Sequence, residues 1–188
     1  MMDTNAALYG DLTQVLVTRE EIAAAVKKLG EQITRDYQGK ELMLVGILKG
    51  AVVFFADLVR EIDLPVKMEF MAVSSYGATT KTTGVVNLVK DLTVDITGMH
   101  VLIVEDIVDS GMTLSYLKKY LSTRGAASIK IATLLDKPER RRVDLKADYF
   151  CFTIPDEFVV GYGLDYAEKY RNLPDIGVLS PRIYAGKE

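Results

Sequence analysis

A chain of 188 residues is long enough for one α/β domain with a substantial core. Hydrophobic residues make up 49% of the chain and the net charge is −3, so composition indicates a globular protein with no general attraction to nucleic acid or an anionic membrane. The chain has one cysteine, which excludes an internal disulfide. It has neither a signal pattern nor an apolar run of membrane-spanning length. We therefore expect a cytoplasmic location.

The first half of the chain has the pattern of a β-α-β unit after a weakly patterned lead-in at residues 1–17. Thr18 and Glu21 have the spacing of a capping box, which marks the start of a helix. Two strands joined by a helix pair in parallel through a right-handed crossover. The predicted elements are a helix from Thr18 to Gly39, a strand from Leu42 to Leu48, a helix from Ala51 to Ile62 and a strand from Val66 to Val73.

Residues 74–83 are rich in hydroxyl groups and have almost no apolar anchor. This composition fits an exposed hairpin tip, and it equally fits a mobile lid over a binding site. A strand is predicted to return at Val85–Val89, which would make a β-ribbon.

The central stretch of the chain begins with a strand at Val101, buried on both faces, and continues into an acidic turn and a helix at 113–123. Glu105 and Asp106 follow where that strand is expected to end, and Asp109, Ser110 and Gly111 come next. Acids that merely cap a helix would explain one or two of these carboxylates. Three within five residues favour a phosphate cradle beside carboxylates that hold Mg²⁺ or sugar hydroxyls.

The last third of the chain adds a strand at Ile129–Leu135 and shorter strands at Tyr149–Phe152 and Ile176–Leu179. The basic run Arg140–Arg142 is better explained by a solvated face or an oligomer contact than by nucleic-acid binding. Ligands of open parallel sheets sit beyond the carboxyl ends of the strands, where several charged residues and glycines converge here. The pattern therefore predicts a small-molecule site at that rim.

Five motifs of the chain together resemble the hypoxanthine-guanine phosphoribosyltransferases, within the type I phosphoribosyltransferases. The run Val104–Gly111 with Thr113 matches the family's signature for phosphoribosyl pyrophosphate (PRPP). The other motifs are Leu48–Gly50, Ser75–Gly77, Leu134–Lys137 and Phe158–Asp165 followed by Arg171. The resemblance covers roughly residues 10–180, which makes it more specific than a single-motif match.

The resemblance implies a parallel twisted sheet flanked by helices, with a small hood and a mobile β-ribbon lid. Residues 1–188 would form one domain, with its core at about 36–153 and its hood built from the N-terminal segment and about 154–188. The implied activity is purine salvage, in which PRPP and hypoxanthine or guanine give IMP or GMP and pyrophosphate with Mg²⁺. A homodimer or homotetramer is expected, with neither nucleic acid nor membrane as a partner.

The resemblance also assigns roles to residues. Asp109 would be the general base for the purine N7 proton, and Lys137 would donate to the purine 6-oxo group. Ser75 and Tyr76 would belong to the lid, and the Lys49–Gly50 peptide would face pyrophosphate, commonly through a cis bond. PRPP would be bound by Lys49, Gly50, Glu105, Asp106, Asp109, Ser110, Gly111, Met112, Thr113 and Arg171; the purine by Ile107, Lys137, Phe158, Val159 and Asp165; and the metal by Glu105, Asp106 and Asp165.

Several alternatives remain at this stage. Without the resemblance, Phe158 would be interpreted as core packing and Lys137 as a surface lysine. A xanthine-preferring enzyme differs mainly in how backbone contacts bind the 2-oxo group, which the sequence hardly reveals. A PRPP-sensing regulator with the same fold would usually carry an added nucleic-acid-binding surface, and no such region is evident. A flavodoxin-like domain would leave residues 156–171 unexplained.

Overall fold

The computed structural model describes residues 6–75 and 86–185, which form two β-sheets and five α-helices. The strands are β1 (Leu12–Val17), β2 (Leu42–Leu48), β3 (Val66–Ser75), β4 (Val86–Lys90), β5 (His100–Val108), β6 (Ser128–Asp136), β7 (Tyr149–Thr153), β8 (Val159–Val160) and β9 (Ile176–Leu179). The helices are α1 (Ala6–Tyr9), α2 (Arg19–Asp36), α3 (Val52–Arg60), α4 (Met112–Ser122) and α5 (Pro181–Tyr184), with a 3₁₀ turn at Pro138–Arg140.

The larger sheet has the strand order β4-β3-β2-β5-β6-β7. Every neighbouring pair is parallel except β3 with β4, which is antiparallel. The prediction of a mostly parallel sheet is therefore confirmed, and β5 lies between β2 and β6 near its middle. The carboxyl ends of β2, β5, β6 and β7 lie at one edge of the sheet, where ligands of such folds bind.

Strand β5 runs further than the sequence indicated. Glu105 pairs with Thr133 and Val108 pairs with Asp136 across the ladder to β6. The prediction that the strand ends before Glu105 was wrong, because the backbone pairing to β6 continues beneath the acidic side chains. Glu105 and Asp106 are thus held by a strand in the middle of the sheet, a more rigid support than a loop.

Helices cover both faces of the larger sheet, and β2 shows why. Leu42 and Leu44 belong to one buried cluster together with residues of α2 and α3, while Met43 and Val45 belong to a second cluster together with residues of α4. Successive side chains of a strand point to opposite faces, so a continuous apolar strand needs cover on both sides. Each fully buried aliphatic side chain contributes roughly 1.5–3 kcal/mol to this arrangement.

Helix α2 begins as the sequence predicted. The Thr18 hydroxyl accepts a hydrogen bond from the Glu21 N–H at 3.3 Å, and the Thr18 N–H donates to the Glu21 carboxylate at 2.8 Å. This reciprocal capping satisfies two backbone donors at the helix start. The helix then buries one stripe against the sheet, formed by Ile22, Val26, Leu29 and Ile33.

A second, antiparallel sheet of order β1-β9-β8 joins the two ends of the chain. Leu12 pairs with Leu179, and Val159 pairs with Val178. No strand was predicted within the weakly patterned residues 1–17, and the structure places β1 there. Its residues are mostly exposed or half-buried, so no alternation marks it, and its partner strand lies more than 150 residues away. Residues 76–83 of the predicted lid, including Tyr76, lie outside the described residues.

No helix within residues 6–75 and 86–185 is long and apolar enough to cross a membrane.

Candidate active site

Three adjoining cavities open at the carboxyl ends of β5, β6 and β7. Their volumes are about 190, 430 and 520 Å³, and Asp109 lines all three. The first lies over the segment from Glu105 to Leu114, and the third lies against the basic run after β6. The second is lined by Ile107, Asp109, Lys137, Arg140, Asp156, Glu157, Phe158, Val159, Leu164, Asp165 and Tyr184.

The turn between β5 and α4 offers a backbone donor site. Gly111 has φ +78° and precedes the first helical residue, Met112, without supplying a capping side chain. A Cβ at Gly111 would also lie 3.1 Å from the Arg141 and Val143 side chains, so glycine suits both the angle and the space. The first N–H groups of α4 have no partner within the helix, and the helix dipole favours an anion beside them.

The neighbouring carboxylates of Glu105 and Asp106 on β5 are half-buried, and the Asp106 side chain lies close to Gly50. Burial, with repulsion from Asp106 adding to it, raises the pKa of Glu105 well above its ordinary value. Burial also raises the pKa of Asp106. A Cβ placed on Gly50 would lie only 1.8 Å from Asp106 Oδ2, so only glycine lets this backbone approach the carboxylate.

A non-proline cis peptide bond joins Leu48 to Lys49, directly before the Lys49–Gly50 bond. The expectation placed the cis bond between Lys49 and Gly50, one residue later. The Gly50 carbonyl oxygen in turn requires glycine at position 163, since a Cβ on Gly163 would lie 2.1 Å from it. The Lys49 ammonium pairs with the Glu168 carboxylate at 3.0 Å, which connects the Lys49–Gly50 turn to the 161–171 loop.

Arg171 and Asp165 form an ion pair within the 161–171 loop. Arg171 Nη2 lies 2.9 Å from Asp165 Oδ1, and Arg171 Nη1 donates to the Gly163 carbonyl at 2.8 Å. Within the described part of the chain, Arg171 Nε is buried without a hydrogen-bond partner. No cluster of three or more metal-ligating side chains occurs among the described residues, so Asp165 is not brought into one group with Glu105 and Asp106.

The second cavity contains a buried lysine and an exposed phenylalanine, the reverse of the usual distribution. Lys137 is 7% exposed, and its ammonium donates to the Glu157 carbonyl. Burial lowers the pKa of Lys137. Phe158 is 42% exposed, although Ile107, Val159 and Asp165 lie around the same cavity. Neither the surface-lysine interpretation nor the core-phenylalanine interpretation is therefore correct.

Asp109 is not free within this arrangement. Arg140 Nε donates to Asp109 Oδ1 at 2.7 Å, and Arg140 Nη1 lies 3.2 Å from Asp156 Oδ1. Arg141 Nη1 donates to the Asp109 carbonyl at 2.9 Å, and the Arg142 N–H donates to the Ser110 carbonyl. The basic run therefore holds the turn after β5, while Arg140 and Arg142 remain exposed, as the solvated-face interpretation expects. The sequence signal for this contact was the position of the basic run in the loop after β6, the strand that pairs with β5. The oligomer contact stays a prediction.

Known proteins that resemble this chain in sequence and in fold belong to the family that this site suggests. The family model described as "Phosphoribosyl transferase domain" matches residues 14–167. A hypoxanthine-guanine phosphoribosyltransferase of Streptococcus pneumoniae is 58% identical over 95% of this chain and 99% of its own length. The chain belongs to this family. The Bacillus subtilis member is 54% identical over 93% of this chain and 97% of its own. The crystal structure of a hypoxanthine phosphoribosyltransferase from Staphylococcus aureus has a TM-score of 0.93 and 50% identity, covering 97% of this chain and 99% of that one.

Proposed function

We propose that the protein transfers the 5-phosphoribosyl group of PRPP to hypoxanthine or guanine, forming IMP or GMP and pyrophosphate in purine salvage. The observation that carries this proposal is the common edge of the sheet, where an uncapped helix N-terminus, two half-buried carboxylates and a pocket with a buried lysine adjoin Asp109. The relatives named above share this fold over nearly the whole chain. Neither a regulator nor a xanthine-preferring enzyme is favoured by a specific observation.

The 5′-phosphate would bind at the turn formed by Asp109, Ser110, Gly111, Met112 and Thr113. Backbone N–H groups at a helix N-terminus suit a phosphate without further charge, and the Ser110 and Thr113 hydroxyls can add donors. Arg141 and Arg142 hold this turn through the carbonyls of Asp109 and Ser110, which fixes its backbone.

Glu105 and Asp106 would bind the ribose hydroxyls and, directly or through water, Mg²⁺. Two partly desolvated carboxylates side by side repel each other, and carboxylate oxygens are the donors that Mg²⁺ prefers, so this pair fits the ion. Asp165 lies outside this group and pairs with Arg171 among the described residues, so its role toward the metal stays a prediction. The bound ion would neutralise charge on the pyrophosphate oxygens.

The pyrophosphate would lie between the Lys49–Gly50 turn and Arg171. Glycine at position 50 fits against the Asp106 carboxylate, and glycine at position 163 fits against the Gly50 carbonyl, so the backbone at this turn lies close to both. The Nε–H group of Arg171 is buried and has no partner among the described residues, so it would donate a hydrogen bond to a phosphate oxygen. These contacts would stabilise the leaving group as the ribose becomes oxocarbenium-like.

The purine would occupy the second cavity. Lys137 would donate to the 6-oxo group, and adenine would place an amino donor against it, an unpaired arrangement that disfavours adenine. The exposed ring of Phe158 would stack on one face of the base and Ile107 would contact the other. Backbone groups of Val159 and Asp165 would bind the edge of the ring.

Asp109 would accept the N7 proton as N9 bonds to the ribose. The ion pair with Arg140 must first open, and its cost is small because both side chains are about half exposed, at 46% and 44%. Pairs of this exposure contribute roughly 0–1 kcal/mol. Arg140 would then keep its contact with Asp156 while Asp109 turns to the base.

We also propose the domain division that the resemblance implies, with a core at about 36–153 and a hood from the N-terminal segment and about 154–188. The joining of β1, β8 and β9 in one sheet supports it. A cytoplasmic homodimer or homotetramer is part of the proposal. The lid role of Ser75 and Tyr76 stays a prediction.

The test is a panel of hypoxanthine, guanine, xanthine and adenine, each supplied with PRPP and Mg²⁺, with nucleotide formation measured for each. The proposal expects the highest kcat/KM for hypoxanthine or guanine. A preference for xanthine would move the protein to the alternative specificity. No nucleotide with any base would leave the regulator as the better interpretation.

A further inference from the structure

The C-terminal helix α5 brings an aromatic side chain to the base pocket that no motif predicted. Tyr184 lines the second cavity, and its ring stacks on Phe158 with a centroid distance of 5.2 Å and an interplanar angle of 29°. Tyr166 meets the edge of the same phenyl ring at 5.7 Å and 87°. Tyr166 and Tyr184 are themselves 6.3 Å apart, so the three rings form one aromatic cluster.

The ring of Phe158 remains partly open although two tyrosines contact it. A phenyl ring has two faces; Tyr184 covers one of them and Tyr166 contacts the edge. Phe158 is nevertheless 42% exposed, and it lines the same cavity as Ile107, Lys137 and Tyr184. Tyr184 thus holds one face of the Phe158 ring at the wall of the cavity.

The position of Tyr184 is fixed by the hood and not by the core of the fold. The Ser180 N–H donates to the Asp11 carbonyl at 2.8 Å, and Arg182 pairs with Asp11 at 3.6 Å. Tyr184 and Ile183 pack against a small buried cluster that includes Leu179. The C-terminal helix is therefore anchored through the N-terminal strand region and ends in the base pocket.

We propose that Tyr184 is a positioning residue for the base-stacking surface, and that it sets affinity for the purine through Phe158. This inference rests on the proposed function of the pocket. An unsupported phenylalanine side chain can change rotamer, and binding a base would then cost the entropy of ordering it. With Tyr184 stacked on it, Phe158 is already in place when the base arrives. The ring of Tyr184 carries this effect and its hydroxyl does not.

The test compares Tyr184→Ala with Tyr184→Phe and Tyr116→Ala. Tyr184→Ala should raise KM for the base about 3- to 10-fold, the size of one aromatic pair, while kcat and KM for PRPP stay within about twofold. Tyr184→Phe should restore the base KM. Tyr116→Ala removes an exposed tyrosine ring of α4 that lines none of the three cavities, and it should leave the base KM at the wild-type value.

A binding measurement gives a second readout. The affinity of Tyr184→Ala for GMP should fall by the same factor, whereas its affinity for inorganic pyrophosphate should be unchanged, because only GMP contacts Phe158. An unchanged base KM in Tyr184→Ala, or an equal rise in Tyr116→Ala, overturns the proposal. If wild-type protein forms no nucleotide from any purine, the proposed function itself fails, which is a separate outcome.

Discussion

Replacing Lys137 with Met tests how the pocket would select a 6-oxo base. Lys137 is 7% exposed and its ammonium donates to the Glu157 carbonyl, so the change removes a desolvated charge and frees that carbonyl. A charged hydrogen bond is worth about 1.5–3 kcal/mol, and kcat/KM for hypoxanthine should fall about 10- to 150-fold. Adenine loses an opposing donor, and its amino group can donate to the freed carbonyl.

The assay is competition between hypoxanthine and adenine for PRPP, with both nucleotides quantified in the same reaction. The ratio of kcat/KM for hypoxanthine to that for adenine should fall by at least tenfold in Lys137→Met. Lys27→Met, at an exposed position of α2, is the matched control and should keep the wild-type ratio. A loss of hypoxanthine turnover with an unchanged ratio would refute the assignment, since Lys137 would then support the pocket without selecting the base.

Three further predictions concern other parts of the chain. Asp109→Asn should keep its thermal stability and its affinity for GMP but lose about 10²–10⁴-fold in kcat, and near-normal turnover would remove Asp109 from the chemistry. Gly50→Ala should raise KM for PRPP at least about tenfold, because a Cβ would lie 1.8 Å from Asp106 Oδ2; an unchanged KM would show that the turn is not part of the PRPP site. Hydrogen bonds from the Thr93 hydroxyl and the Phe70 N–H lower the pKa of Glu69 to about 2, so its stabilisation is present above about pH 4.5 and is lost as the pH falls toward 2. After allowance for solvent screening, the ionised Glu69 contributes about 1–2 kcal/mol to the free energy of unfolding. In urea unfolding, Glu69→Gln should therefore lose less stability between pH 5 and pH 2 than wild type does. An equal loss of stability in both proteins would contradict the lowered pKa.

The sequence predicted the larger sheet well because its strands are apolar throughout and its helices have clear caps and stripes. Leu42–Leu48 alternates between two buried clusters, so every residue of that strand is apolar and the pattern is unmistakable. Strand β1 was missed for the opposite reason. It covers little of the core, and its pairing with β9 is a long-range contact that no local pattern records.

The side chains of the candidate site were predictable in type but not in their contacts. The order of acids, serine and glycine after Val104 indicated a phosphate turn, and the structure adds that Arg140 donates a hydrogen bond to Asp109. Arg140 was missed because a run of three arginines on a turn has no periodicity, and charge alone favours solvent. Tyr184 was missed because the tail near α5 has no motif, although its ring lies on Phe158.

The most direct test of the account is the reaction itself, followed with labelled hypoxanthine, PRPP and Mg²⁺ in the presence of the purified protein. The account predicts one IMP formed for each pyrophosphate released, with no pyrophosphate release when the base is omitted. Pyrophosphate release without nucleotide, or no release with any 6-oxopurine, would contradict it.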